Sequence, residues 1–373
     1  MVLLACLALG LCVVARLLTG PSLFAADGTL LGYALEIRAQ RALVAAAVGG
    51  ALAVSGVLLQ TLVRNDLASP DLVGASSGAS LSLIAAAFAA RAVGVPPAVE
   101  QFLGSRLLIA SIGAVAALVL VATLASGGRS WSGTRGSGRP RFIERLMPGS
   151  LDTGALVLAG VMVSIIASAA VTLVDHLMQA AGQPRAADLG GLLLGSVRDD
   201  VGWTSAAGAA LLVVIMAWVW AVAGRKLDAM LLDDEQARSI GLAVGRVRGL
   251  LFLSCGLLAA LAVVLAGPIA FIGLLAPHSA RLLLARAGVA PGRHPSLGAM
   301  HGPLIVLAGL FGASLLVLAD VAARLVDLGS GRLPTGVLTS LVGGVFFLGL
   351  LRRRTAPAIA NASPRPTNSR SDP

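Results

Sequence analysis

Residues 266–281 read Ala266-Gly267-Pro268-Ile269-Ala270-Phe271-Ile272-Gly273-Leu274-Leu275-Ala276-Pro277-His278-Ser279-Ala280-Arg281. Two prolines, two glycines, a histidine and an arginine interrupt an otherwise apolar run. Proline removes a backbone donor and clashes with the preceding turn. In lipid each unsatisfied backbone group costs several kcal/mol. Such a stretch is tolerated only where neighbouring protein or a water-filled path re-satisfies the backbone. It therefore predicts a packed polytopic bundle that moves something, and not a simple anchor.

The composition around it agrees. The chain has 373 residues, of which 57% are hydrophobic and 12% charged, and its mean hydropathy is +0.90. A soluble domain carries about 25% charged residues, so this chain cannot cover a water-facing surface and takes the bilayer as its main solvent. The net charge of +10 does not point to nucleic acid, because the chain has a single lysine, Lys226, a single tyrosine, Tyr33, and arginines scattered between apolar runs. Three cysteines without CxxC spacing and four dispersed histidines give no metal site and no disulfide framework. No cofactor is expected. The start, Met1-Val2-Leu3-Leu4, lacks the positive region of a cleaved signal peptide, so the first apolar run is read as a retained span.

A helix needs about 20 apolar residues to cross the hydrocarbon core. Runs between charged or Pro/Gly breaks give ten spans, near 1–18, 39–62, 74–90, 103–125, 150–175, 201–223, 248–267, 269–286, 297–322 and 333–351. The fold class is all-α and polytopic. With a cytoplasmic N-terminus and ten spans, nineteen of the 28 Lys and Arg fall on the inside, as the positive-inside rule requires. Both termini are thus expected in the cytoplasm. Residues 1–354 read as one transmembrane domain and 355–373, rich in Pro, Ser and Asn, as a disordered cytoplasmic tail.

Two inner loops differ in kind. Residues 126–145 are rich in Gly, Ser and Arg and read as flexible. Residues 226–248 mix charge with apolar positions and read as two short interfacial helices, with Asp233 or Asp234 as a cap and Gly241 or Gly245 as a stop.

Other motifs are weighed on chemistry. Gly74-Ala75-Ser76-Ser77-Gly78 matches G-x-S-x-G, but that motif needs a strand-turn-helix setting; here it opens a helical run in which small residues let helices approach. An intramembrane serine protease using Ser76 with His176 or His278 is the competing reading. A proton- or sodium-coupled transporter would need ionisable residues near the midplane, and the spans offer few. The lone lysine, Lys226, follows Gly224-Arg225 and cannot form a G-x-x-x-x-G-K-[ST] loop, so no P-loop ATP chemistry belongs to this chain. Arg38 and Arg41, at i and i+3 before the second span, and Arg324 after the ninth read either as snorkelling side chains or as a docking surface for an acidic partner. Asp320 and Arg324 are spaced to pair along one helix face. His278 reads as a functional residue or as one that satisfies the backbone beside Pro277.

Several stretches together resemble the FecCD-type permeases, the membrane subunits of ABC importers for iron-siderophores, haem and cobalamin. They are the run from Gly50 through Arg64-Asn65-Asp66-Leu67-Ala68-Ser69-Pro70-Asp71 to Ala79, the opening stretch 266–281, Leu318-Ala319-Asp320-Val321-Ala322-Ala323-Arg324, Leu333-Pro334-Thr335-Gly336-Val337-Leu338-Thr339 and Phe346-Phe347-Leu348-Gly349-Leu350-Leu351. The resemblance covers residues 38–354. It implies the type II ABC importer permease architecture, a second permease subunit, identical or paralogous, two cytoplasmic ATPase subunits, and an extracytoplasmic substrate-binding protein. It implies a bacterial cytoplasmic membrane and a metal-chelate cargo, with a ferric siderophore first and cobalamin or haem as alternatives. It places ATPase coupling at Asp233, Asp234, Glu235, Ala237, Arg238 and Gly241, and binding-protein docking at Arg38, Arg41 and Arg324. Gly267, Pro268, Gly273, Pro277, His278, Pro334 and Gly336 fall beside the translocation path. The sequence departs from the family pattern at Asp66, where proline is usual, at Leu192, and in the longer basic loop 127–141. Bare metal-ion transport is disfavoured by the lack of carboxylate rings and clustered histidines.

Overall fold

The computed structural model describes residues 1–19, 28–71, 74–92, 106–125, 153–180, 195–197, 203–229, 234–288, 301–326 and 333–360. Ten long helices and one short one lie within them: α1 Val2–Leu18, α2 Gly28–Val63, α3 Ala75–Ala92, α4 Arg106–Ala125, α5 Thr153–Ala180, α6 Trp203–Ala229, α7 Asp234–Ser239, α8 Val244–Ala266, α9 Ile272–Arg286, α10 His301–Leu325 and α11 Thr335–Ala360. Each of the ten expected spans coincides with one long helix. Among the described residues, four stretches are by themselves long and apolar enough to cross a membrane: Ala34–Val63, Ser205–Gly224, Val247–Ala266 and His301–Leu325. Shorter apolar stretches lie on α1, α3, α4, α5 and α11. Large apolar side chains stand outward along the bundle, among them Leu7, Ile112, Ile166, Val214 and Val345, as a chain solvated by lipid requires.

The bundle is organised around α2. Within its Ala34–Val63 stretch, 89% of the residues of an 18-residue apolar window are buried in the protein, packed by α10, α8, α9 and α6. A helix can be surrounded this way only if its flanks are small. Gly49 faces Gly312 of α10 so closely that a Cβ on either would strike the other's carbonyl oxygen; this is the small-residue packing that substitutes for hydrophobic driving force in lipid. A second group, α3, α4 and α5, packs on itself and reaches the rest through α8.

Two boundaries differ from the sequence reading. Helix α2 begins at Gly28, eleven residues before the expected 39, because the Arg38 and Arg41 charges that end the apolar run are satisfied inside the protein and do not end the helix. Helix α11 runs to Ala360, into the segment expected to be a disordered tail; extending a formed helix costs far less than nucleating one, and three of these last six residues are alanine. Helix α9 has 15 residues, roughly 22 Å at 1.5 Å per residue, which is shorter than the hydrocarbon core. The extended chain 267–270 accounts for the rest of that segment.

Candidate functional site

The broken stretch is built from three local devices. Gly267 closes α8 at φ 68°, ψ −176°, a region open essentially to glycine alone. Phe271, which precedes α9, holds φ 68°, uncommon for a bulky residue. The Asp71 carboxylate accepts the Phe271 backbone N–H, and Gly343 of α11 is the only residue type that leaves room for the Phe271 side chain beside it. The third device concerns Pro277, buried inside α9. Proline has no N–H, so the carbonyl four residues back, Gly273, loses its helical donor. Gln60 of α2 supplies the replacement, its Nε2 donating to the Gly273 oxygen at 3.2 Å. Gly56 lets that carbonyl come close, since a Cβ there would collide with it. His278 packs edge-on against the Phe346 ring, 5.6 Å between centroids, tying α9 to α11.

A cavity of about 480 Å³ opens beside this break. Pro268 and Ala270 form one wall, Gly336, Val337 and Ser340 of α11 another, Ser76, Ser77 and Ser80 of α3 a third, and Ser164 and Ser168 of α5 a fourth. Six seryl hydroxyls and the Asp71 carboxylate therefore face one space in a very apolar protein. Ser76 Oγ donates to Asp71 Oδ1 at 2.7 Å and Ser69 Oγ to Oδ2 at 3.3 Å; Ser77 Oγ donates to the Gly74 carbonyl and lies 3.2 Å from Ser164 Oγ. Ser76 thus lies at the start of a helix and binds a carboxylate, with no strand before it, which removes the elbow that a hydrolase nucleophile needs. The Gly336 N–H donates to the Gly195 carbonyl at 2.9 Å, and Gly195 in turn abuts Pro268. Pro268 and Gly336 therefore line the cavity, with Gly267 next to Pro268 in the chain and Pro334 two residues before Gly336. Gly273 instead faces α2, Pro277 is buried within α9, and His278 faces α11.

At one end of the bundle, Asp320 of α10 is 1% exposed and gathers guanidinium groups from three helices. Arg16 Nε of α1 meets it at 2.7 Å, Arg41 Nη2 of α2 at 2.8 Å, and Arg324 Nε at 3.7 Å. Arg38, also buried, donates to the Leu17 carbonyl at 3.0 Å, in the last turn of α1. The expected Asp320–Arg324 pairing is present but is the longest of the three. Arg16 carries no sequence motif; its signal is a lone charge within an apolar first span.

At the opposite end of α2, His301 at the start of α10 meets Asp228 at the end of α6. The His301 backbone N–H and Nδ1 both lie on Asp228 Oδ1, at 3.0 and 2.6 Å. His301 Nε2 lies 3.3 Å from Thr61 Oγ1. Asp228 serves α10 as a capping residue from another helix, satisfying a first-turn donor. Arg281 of α9 reaches Asp66 at 3.5 Å, which gives the unusual aspartate in the turn after α2 a partner. In the 226–248 segment one short helix, α7, is described. Glu235 and Arg238 are exposed on it and Ala237 is buried. Gly241 follows at φ 84°, donating its N–H to the Arg238 carbonyl. Asp233, Leu192 and the loop 127–145 lie outside the described residues, and the Asp234 side chain is not described.

The comparisons decide the lineage. The FecCD transport family matches residues 2–135 and 145–353. The chain belongs to that family. It is a multi-pass transport permease of the membrane. It is 33% identical over 318 residues to the vitamin B12 import system permease protein BtuC of Vibrio cholerae, covering 85% of this chain and 82% of that one. It is 31% identical to the hemin transport system permease protein HmuU of Yersinia pestis, covering 86% and 83%. It is also 32% identical to the iron(3+)-hydroxamate import system permease protein FhuB of Salmonella typhimurium, covering 88% of this chain and 41% of that protein. A solved structure of a metal-chelate type ABC transporter in an inward-facing conformation shares the fold, with a TM-score of 0.69 at 23% identity, covering 94% of this chain and 98% of that one.

Proposed function

We propose that this permease carries a metal chelate, a ferric siderophore or its cobalamin or haem counterparts, across the cytoplasmic membrane of a bacterium by alternating access. A second permease subunit completes the path, two cytoplasmic ATPase subunits drive it, and an extracytoplasmic binding protein delivers the cargo. The observation that carries this reading is the hydroxyl-lined cavity of about 480 Å³ set against a broken segment in a FecCD-family chain. It is a partly polar, weakly binding surface inside an apolar bundle, the surface a bulky polar cargo needs in order to enter and leave.

The ATPase contact falls to α7 and its flanks, where Glu235 and Arg238 are exposed and joined through Gly241 to α8. The docking end is assigned to the arginine cluster. Arg38 and Arg41 are 7% and 5% exposed and act there as supports, holding α1, α2 and α10 together. Arg324, with 14% of its side chain accessible, is the contact offered to an acidic partner. Both termini then lie in the cytoplasm.

The test is ATP-dependent uptake by proteoliposomes holding the permease with its ATPase and binding protein. Labelled ferric siderophore, cobalamin and haem are supplied in turn, and accumulation of one that stops when ATP is withheld is the expected result. Failure of all three sinks the proposal. Ser76→Ala should retain uptake, whereas a protease mechanism predicts complete loss.

A further inference from the structure

The cavity contains one charged group among its described lining residues, Asp71. It projects from the turn between α2 and α3, is partly exposed, and its exposed side borders the cavity. Four donors hold it: the Ser76 and Ser69 hydroxyls, the Phe271 N–H and its own backbone N–H. A carboxylate has about four acceptor positions, so these donors satisfy its hydrogen bonding, and what it presents to the cavity is its charge. Its neighbours across the space are seryl hydroxyls of α3, α5 and α11, with no described cation among them. Buried charges are normally paired or fully hydrogen-bonded; this one is hydrogen-bonded by neutral donors and lines the cavity.

We infer that Asp71 sets the charge class of the cargo: the cavity admits chelates whose periphery is neutral or cationic and rich in N–H or O–H donors, and penalises those bearing carboxylates. The inference rests on the importer reading above. A cationic periphery meets the charge of Asp71, and a donor-bearing one meets acceptors at the serine oxygens. A second carboxylate within a few Å of Asp71 meets like charge in a medium less polar than water, where such repulsion is several-fold stronger than in bulk. Specificity here comes from repulsion as much as from attraction.

The experiment uses the complete transporter in proteoliposomes and matched cargo pairs. Each of a ferric trihydroxamate, cyanocobalamin and haem is supplied with a carboxylate-free periphery and with a single added or unmasked carboxylate. The quantity read is the ratio of uptake rates, carboxylated over neutral, in each variant; dividing the variant's ratio by the wild-type ratio cancels the preference of the binding protein. Asp71→Asn should raise the ratio by about tenfold, equivalent to about 1.4 kcal/mol. Ser340→Asp, which adds a carboxylate on the α11 wall, should lower it by a similar factor and serves alone if Asp71→Asn does not assemble. Ratios within twofold of wild type for the assembled variants overturn the inference while leaving the importer reading intact. Absence of ATP-driven uptake of any member of the three pairs by the wild type overturns both.

Discussion

Asp320→Asn is the most demanding test of how this bundle is held together. The carboxylate is 1% exposed, and Arg16 and Arg41, at 1% and 5%, approach it at 2.7 and 2.8 Å from α1 and α2. Neutralising it leaves at least two buried guanidinium groups without their counter-charge. Breaking a buried pair in this way costs about 3–5 kcal/mol. Unfolding entropy of about 2.1 cal/mol/K per residue over 373 residues makes that a fall of about 4–6 °C in Tm. Removing Arg324, whose Nε is 3.7 Å away and whose side chain is 14% accessible, should cost less than about 1 kcal/mol. Replacing the three partners together, Arg16→Met, Arg41→Leu and Asp320→Leu, removes charge and counter-charge alike and should return stability to near wild type. The assay is thermal unfolding of the purified permease in one detergent, at low and high salt. Because the group is shielded from water, the loss should be nearly independent of salt. A Tm for Asp320→Asn within 1 °C of wild type, or a loss abolished by salt, would refute the reasoning that this cluster is a buried three-helix tie.

Three further outcomes follow from the same contacts. Gln60→Leu orphans the Gly273 carbonyl, costing about 1–3 kcal/mol. Adding Pro277→Ala restores the helical N–H, so the double variant should be more stable than Gln60→Leu alone by unfolding in detergent; additive effects would contradict the pairing. Asp228→Ala removes the acceptor for both the backbone and the ring of His301 and should destabilise by about 1–3 kcal/mol, seen as faster amide exchange at the start of α10. Arg281→Gln loses a 3.5 Å contact to a half-exposed Asp66 and should shift stability by less than about 1 kcal/mol; a larger loss of Tm would show that the pair is more than a surface contact.

The ten membrane helices were legible in the sequence because hydropathy and breaks are local properties, and a span must satisfy its own backbone. The same locality explains the two boundary errors. The Arg38 and Arg41 charges look like the end of a span until their partners are known, and the Pro, Ser and Asn after Arg354 look like a tail until α11 is seen to continue to Ala360. The candidate site was partly legible. Gly267 and Pro268 announce an irregular backbone, but nothing in the linear pattern indicates that Asp71 reaches Phe271 or that serines of three helices share one space.

The chain's apolar composition and the rhythm of its breaks determine by themselves that it is a membrane protein of about ten helices, and its motifs determine its lineage. Tertiary structure alone decides which charges neutralise one another. Asp320 lies 304 residues from Arg16 and 279 from Arg41, and Gln60 lies 213 from Gly273. Hydropathy reports how each residue is solvated, whereas pairing depends on which helix faces which, and that is fixed only when small residues such as Gly49, Gly56 and Gly312 let the helices close on one another.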